Sequence, residues 1–180
     1  MESSLQDPQS ESESIREGTW SEFENEHIYK LDSKLYQTHL LEQYLIYVKM
    51  ADRISNRRNI ANGFFLSLHT SLLTILGVFL KEDLISTSLG VLAILFLVFS
   101  FLCLIWWWLI RSYKNLNTAK YKVIGFMEEK LPASPYNRAE WVALGEGKSL
   151  KKYLPLTLIE QWVPVVFLFF YLLMLLSLNA

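Results

Sequence analysis

Three stretches of this chain carry no formal charge. Twenty-two residues separate Arg58 from Lys81, 27 separate Asp83 from Arg111, and 20 follow Glu160. A helix needs about 20 apolar residues to cross the hydrocarbon of a bilayer. The expected fold is an all-α integral membrane protein with three transmembrane helices, a hairpin plus a C-terminal span, and amphipathic helices outside the lipid. Composition points the same way. With 52% hydrophobic and 19% charged residues, a disordered chain is excluded and a soluble one fits poorly.

The net charge of -1 hides a split. Residues 1–29 hold eight acidic residues and one basic, Arg16, for a net of -7, which leaves +6 on the rest. The Lys and Arg residues flank the apolar runs. There they suit lipid headgroups and topology, so a nucleic-acid partner is not expected. A signal peptide begins with a basic segment and then an apolar one. Here the first apolar run starts only after residue 58, and insertion through the chain's own spans is expected. The single cysteine, Cys103, lies inside an apolar run, cannot form an intrachain disulfide, and reads as a small packing group.

Residues 1–29, rich in Ser and Glu, read as an acidic mobile tail. Residues 30–58 read as a cytosolic amphipathic helix, with Leu31, Leu35, Leu41, Tyr44, Leu45, Val48, Ala51 and Ile54 near helical spacing and no Pro or Gly. Residues 59–110 form the transmembrane hairpin. Its first span is Asn59 to Leu80, and its second runs from about Leu89 to Ile110, with Ser86, Thr87 and Ser88 placed to cap the second. Residues 111–157 read as a cytosolic helical segment. A helix continues out of the membrane to Lys130, Pro132 and Pro135 stop it, and a short helix follows near Asn137 to Leu144. Residues 158–178 form the third span, with Pro164 in its first turns. Basic clusters at 53–58, 111–122 and 148–152, against a lone Lys81 in the hairpin loop, put the N-terminus in the cytosol and the C-terminus on the far side.

Along the first span Gly63, Ser67, Thr70, Thr74 and Gly77 repeat at intervals of 4, 3, 4 and 3. Small residues on one face let helices approach closely in lipid, so helix packing is the first reading. A hydroxyl-lined water path is the second, although it would have no ring of charge to select an ion. His69 is the ionisable side chain deep in a span. It reads first as a neutral imidazole bonded to a hydroxyl or carbonyl, and second as a proton-relay group. Interface anchors are expected at Arg57, Arg58, Trp106, Trp107, Trp108 and Trp162, where cations meet headgroups and indoles sit half wet. Glu160 reads as a snorkelling residue or a partner for Lys151 or Lys152.

Nothing assembles into a catalytic set. Gly147-Lys148-Ser149 resembles the end of a phosphate loop, but Val142 stands where that loop needs glycine. Glu128 and Glu129 are adjacent, so they point to different faces of a helix. His27 and His39 offer no metal spacing with His69. No enzymatic activity, cofactor or metal is expected.

Two blocks carry a resemblance. One runs from Tyr44 through Arg57-Arg58 and on to Asn62-Gly63-Phe64-Phe65 and Thr70. The other runs from Tyr113 to Ile124, then Met127-Glu128-Glu129-Lys130-Leu131-Pro132, Tyr136, Glu140 and Trp141. Together with the order of the apolar runs over about residues 30–178, they resemble the RipA-like family of bacterial octameric membrane proteins. The first block and the hairpin are also similar to the two-span SLATT effector domains of bacterial defence systems. The resemblance implies a bacterial inner-membrane homo-octamer whose partners are itself and the bilayer, and it brings no catalytic residue. The expected function is a homo-oligomeric, ring-like membrane assembly with a structural, pore-like or sensing role. The rivals are a membrane-permeabilising effector and a small transporter or channel.

Overall fold

A computed structural model describes residues 8–20, 27–82, 88–145 and 154–177, and these residues are helical with short connections and no strand. The helices are α1 (Pro8–Thr19), α2 (His27–Leu31), α3 (Ser33–Lys81) and α4 (Leu89–Glu128). A π-helical turn (Pro135–Glu140) leads into the short α5 (Trp141–Ala143), and α6 (Leu156–Ser177) completes the set. Helices α3, α4 and α6 are each long and apolar enough to cross a membrane. The expected cap at Ser86 and Thr87, the hairpin loop and the lysines at 148–152 lie outside the described residues.

The amphipathic segment and the first span are one helix. At about 1.5 Å per residue, α3 is about 73 Å long, far more than the hydrocarbon is thick. Its N-terminal part, which carries Lys34, Glu42, Lys49, Asp52 and Arg53, therefore lies outside the lipid. Asp32 starts the helix, its Oδ1 accepting the backbone N–H groups of Lys34 and Leu35 at 3.0 and 3.1 Å. Helix α4 stops at Glu128. Its last turn tightens through i→i−3 bonds to the carbonyls of Phe126, Met127 and Glu128 before Pro132, which has no N–H to give. Gly145, at φ 76°, ends the turn after α5 in a conformation that glycine tolerates best.

The chain forms two compact units. Unit one comprises Met1–Arg53 and Leu116–Tyr153, and unit two comprises Ile54–Asn115 and Leu154–Ala180. In unit one residues 8–19 of the acidic segment are helical. Glu11 pairs with Lys122 at 2.7 Å and Arg16 with Glu129 at 2.8 Å, and the Lys130 ammonium lies 3.7 Å over the Trp20 ring. One acid of α1 meets a base on α4, and the one base of α1 meets an acid just beyond the end of α4, which is what composition alone did not reveal. Beside them the Tyr29 hydroxyl is 3.1 Å from His39 Nδ1.

In unit two α3, α4 and α6 pack as a three-helix bundle. Leu76, Phe99, Cys103 and Tyr171 form its buried centre, flanked by Leu72, Leu95 and Phe167. Many other Leu, Ile, Val and Phe side chains of the spans are exposed, among them Phe64, Ile94, Phe101 and Phe169. Lipid is their natural solvent. Helix α6 begins at Leu156, so Pro164 is its ninth residue rather than part of a first turn. Its missing N–H leaves the Glu160 carbonyl without the usual helical donor.

Candidate functional site

Three polar side chains of α3, Arg58, Asn62 and His69, lie on one line inside unit two. Helix α3 turns Arg58, Asn62, Phe65, His69 and Leu76 towards its neighbours, a spacing of three, four and seven that keeps one face. Each polar member of that line meets a partner on another helix. Arg58 Nε lies 3.1 Å from Glu160 Oε2, with the two side chains 12% and 14% exposed. The contact is an ion pair, and neither atom makes a hydrogen bond among the described residues. Asn62 Oδ1 accepts the indole N–H of Trp106 at 3.0 Å. His69 Nδ1 is 2.8 Å from the Tyr171 hydroxyl, and both side chains are fully buried.

Aromatic rings close the histidine off. Its imidazole stacks on Trp106 at 5.5 Å and 16°, with Phe167 at 5.3 Å on another side. Trp106 in turn stacks on Phe65. The Cys103 sulfur is 3.9 Å from both ring nitrogens. Buried polar groups in such surroundings are costly unless bonded. Here each has a bond, and the arrangement can fix helix register or hold a proton between His69 and Tyr171.

The expected site residues differ in exposure. Trp106, expected at the interface with its neighbours, is 2% exposed and turned into the bundle. Three consecutive helical residues span about 200°, so they cannot share an outward face. Trp108 and Trp162 are exposed, and Trp107 carries the Arg111 guanidinium 5.3 Å from its ring centre. Arg57 is exposed, whereas Arg58 is spent on Glu160. Gly63, Ser67, Thr70, Thr74 and Gly77 are all exposed on the single chain. A Cβ added at Gly63 or Gly77 would meet nothing within 4 Å. The hydroxyls of Thr70 and Thr74 bond back to the carbonyls of Leu66 and Thr70.

A second polar centre lies in unit one, and sequence reasoning missed it. Glu128 is 1% exposed although it is a carboxylate at a helix C-terminus, where the macrodipole opposes it. Four donors surround it: the hydroxyls of Tyr44 and Ser134 at 3.1 and 2.9 Å, and the backbone N–H groups of Tyr136 and Asn137 at 3.1 and 2.9 Å. The last two open the π-helical turn, so the carboxylate caps it. Gly125 makes room, since a Cβ there would lie 3.1 Å from Asn137 Cγ. Burial, and then the bond to Glu128, push the Tyr44 phenol up to about 12. The available signal was an acid at the wrong end of a helix followed by Ser-Pro.

No group of three or more His, Cys, Asp or Glu able to hold a metal exists among the described residues. The architecture is that of a three-span helical membrane protein in which Arg58, Asn62 and His69 of the first span meet Glu160, Trp106 and Tyr171 of the other two. The model of the octameric membrane protein family (8xMP) matches residues 41–179, and the chain belongs to that family. It is accordingly a self-associating membrane protein. No curated protein and no solved structure matches it.

Proposed function

We propose that the octamer is a structural ring in the bacterial inner membrane, without enzymatic activity, whose spans hold copies together rather than carry solutes through a single chain. The observation that carries this reading is the closed polar line. Arg58, Asn62 and His69 are each taken up by a contact with Glu160, Trp106 or Tyr171 of the same chain, which suits holding the spans in register. The small-residue face of α3 supports the same reading, because its threonine hydroxyls are already satisfied by their own helix. Such a face suits another helix better than water. The N-terminus is cytosolic and the C-terminus lies on the far side in this reading, following the basic clusters.

The test is reconstitution of the octamer into liposomes loaded with pH-sensitive and potassium-sensitive dyes. Flux no faster than in empty liposomes is expected. Flux that Ser67→Leu blocks would replace this reading with a hydroxyl-lined pore between copies. Growth arrest and membrane depolarisation on expression in a bacterial host would replace it with a permeabilising effector. For topology, a cysteine at Ser86 should react with a membrane-impermeant reagent added to whole cells, and one at Ser33 should not.

A further inference from the structure

The N-terminal part of α3 exposes apolar side chains where no lipid covers them. Leu41, Leu45, Ile46 and Met50 are 48%, 47%, 57% and 40% exposed. Within the spans such exposure is explained by hydrocarbon. Here the helix also carries Lys34, Glu42, Lys49, Asp52 and Arg53, which hold it in water. Apolar patches left in water mark contact surfaces.

Their arrangement is specific. At about 100° per residue, Leu41 and Leu45 fall within about 40° of each other, as do Ile46 and Met50, and the two pairs lie about 140° apart. Glu42, Lys49 and Arg53 stand between the pairs, exposed. Leu40 and Ala51, 4% and 1% exposed, lie on the opposite side with Tyr44 and pack inside the chain. The helix thus has one inner face, two apolar flanks and a charged crown. The flanks also differ in shape. Beside Ile46 runs a groove of about 550 Å³, lined by Tyr36, His39, Gln43 and Ile46 of α3 together with Trp20 and Met127. The Leu41 and Leu45 flank lies outside that groove and presents two projecting leucines.

A two-fold dimer needs one self-complementary patch. A closed ring needs two different patches that fit each other, because each copy is gripped on one side and grips on the other. The family is octameric. We infer that the Leu41/Leu45 ridge of one copy seats in the Ile46-lined groove of the next, so that the N-terminal part of α3 forms a repeating head-to-tail contact around the octamer. The occupant of the groove is a second copy of this chain. Trp20, carried just after α1, forms part of the groove's wall, so the acidic helix borders the contact.

The test uses the full chain in membranes. A Leu45→Cys/Ile46→Cys protein, oxidised with copper phenanthroline, is run on a non-reducing gel, beside each single variant and after elution as an octamer is checked. The double variant is expected to give a ladder from dimer upward that collapses on reduction, and each single variant is expected to remain monomeric. Leu41→Glu/Leu45→Glu is expected to shift the sizing profile to smaller species while the helical circular dichroism of the chain is retained. Glu42→Gln, on the crown, should leave the octamer intact. A single variant that cross-links to itself would show a two-fold contact and overturn the proposal. An octamer that persists with both glutamates in place, or a double variant that gives no ladder while octameric, would overturn it too.

Discussion

His69 and Tyr171 meet at 2.8 Å in the centre of the bundle, and Arg58 and Glu160 meet at 3.1 Å eleven residues earlier on the same two helices. Eleven residues are close to three turns, so positions eleven apart return to nearly the same face. Equal offsets on both helices mean that α3 and α6 run parallel and in register. The contacts with α4 run the other way, from Asn62 with Trp106 to His69 with Cys103. Two polar pairs, one at the mouth and one at the centre, thereby fix both the direction and the register of the third span against the first.

Tyr171→Phe should destabilise the bundle modestly, because interhelical hydrogen bonds in membranes average about 0.6 and reach about 1.7 kcal/mol. A cycle with His69→Phe isolates the pair. Unfolding in mixed micelles of increasing dodecyl sulfate, followed by circular dichroism, should give a coupling energy in that range. A coupling near zero would mean that the two rings merely fill space.

The ion pair should behave differently from the hydrogen bond. Glu160→Gln leaves a guanidinium with little water and no counter-charge, a loss of about 3–5 kcal/mol for a fully buried pair. The slight exposure of both side chains puts the expected cost near the lower limit. Arg58→Leu/Glu160→Leu should be milder than either single change, since it removes both charges together. The same micelle titration on all three variants checks the order, and a double variant worse than both singles would refute it.

The three spans were legible because a bilayer admits so few solutions: three uncharged runs of sufficient length leave little else to be. The partners were not legible. Arg58 and Glu160 are 102 residues apart, and no local pattern joins them; the nearby lysines at 151 and 152 were the natural guess. Residue type alone does not show that the phase of Trp106 on α4 aims its indole at Asn62. The acidic segment was read by its charge alone, yet Glu11 has a base to meet on α4, and Arg16 an acid just beyond it. Glu128 was dismissed beside Glu129 for pointing another way, and that different direction is what buries it.

Tyr44→Phe removes one of four donors from the buried Glu128 carboxylate. Hydrogen bonds to charged groups are worth about 1.5–3 kcal/mol, and a loss near the lower value is expected because three donors remain. The pH dependence follows from the raised phenol. Folding favours the neutral form, so the contribution is complete below the ordinary value of 10 and is lost as pH rises from there through about 12. Thermal melts of wild type and Tyr44→Phe should differ at pH 8 and converge at strongly alkaline pH. A difference that stays constant across that window would mean that Tyr44 does not titrate as placed here.

Bulk on the small-residue face of α3 gives the sharpest test of how the spans associate. Nothing in the chain lies within 4 Å of a Cβ added at Gly63 or Gly77, so Gly63→Leu should leave each chain's bundle as it is. Any effect then belongs to what lies against that face outside the chain. If a helix of another copy packs there, the leucine holds the two backbones apart, and in a ring the same fault recurs at every copy. The octamer should then dissociate at a lower temperature, read by sizing after graded heating, while the helical signal of the chain is unchanged. Ile75→Phe adds bulk to an exposed position about a third of a turn away from that face and should do little. Equal loosening by both changes would mean that the face has no special role in assembly, and no loosening by Gly63→Leu would mean that it meets lipid.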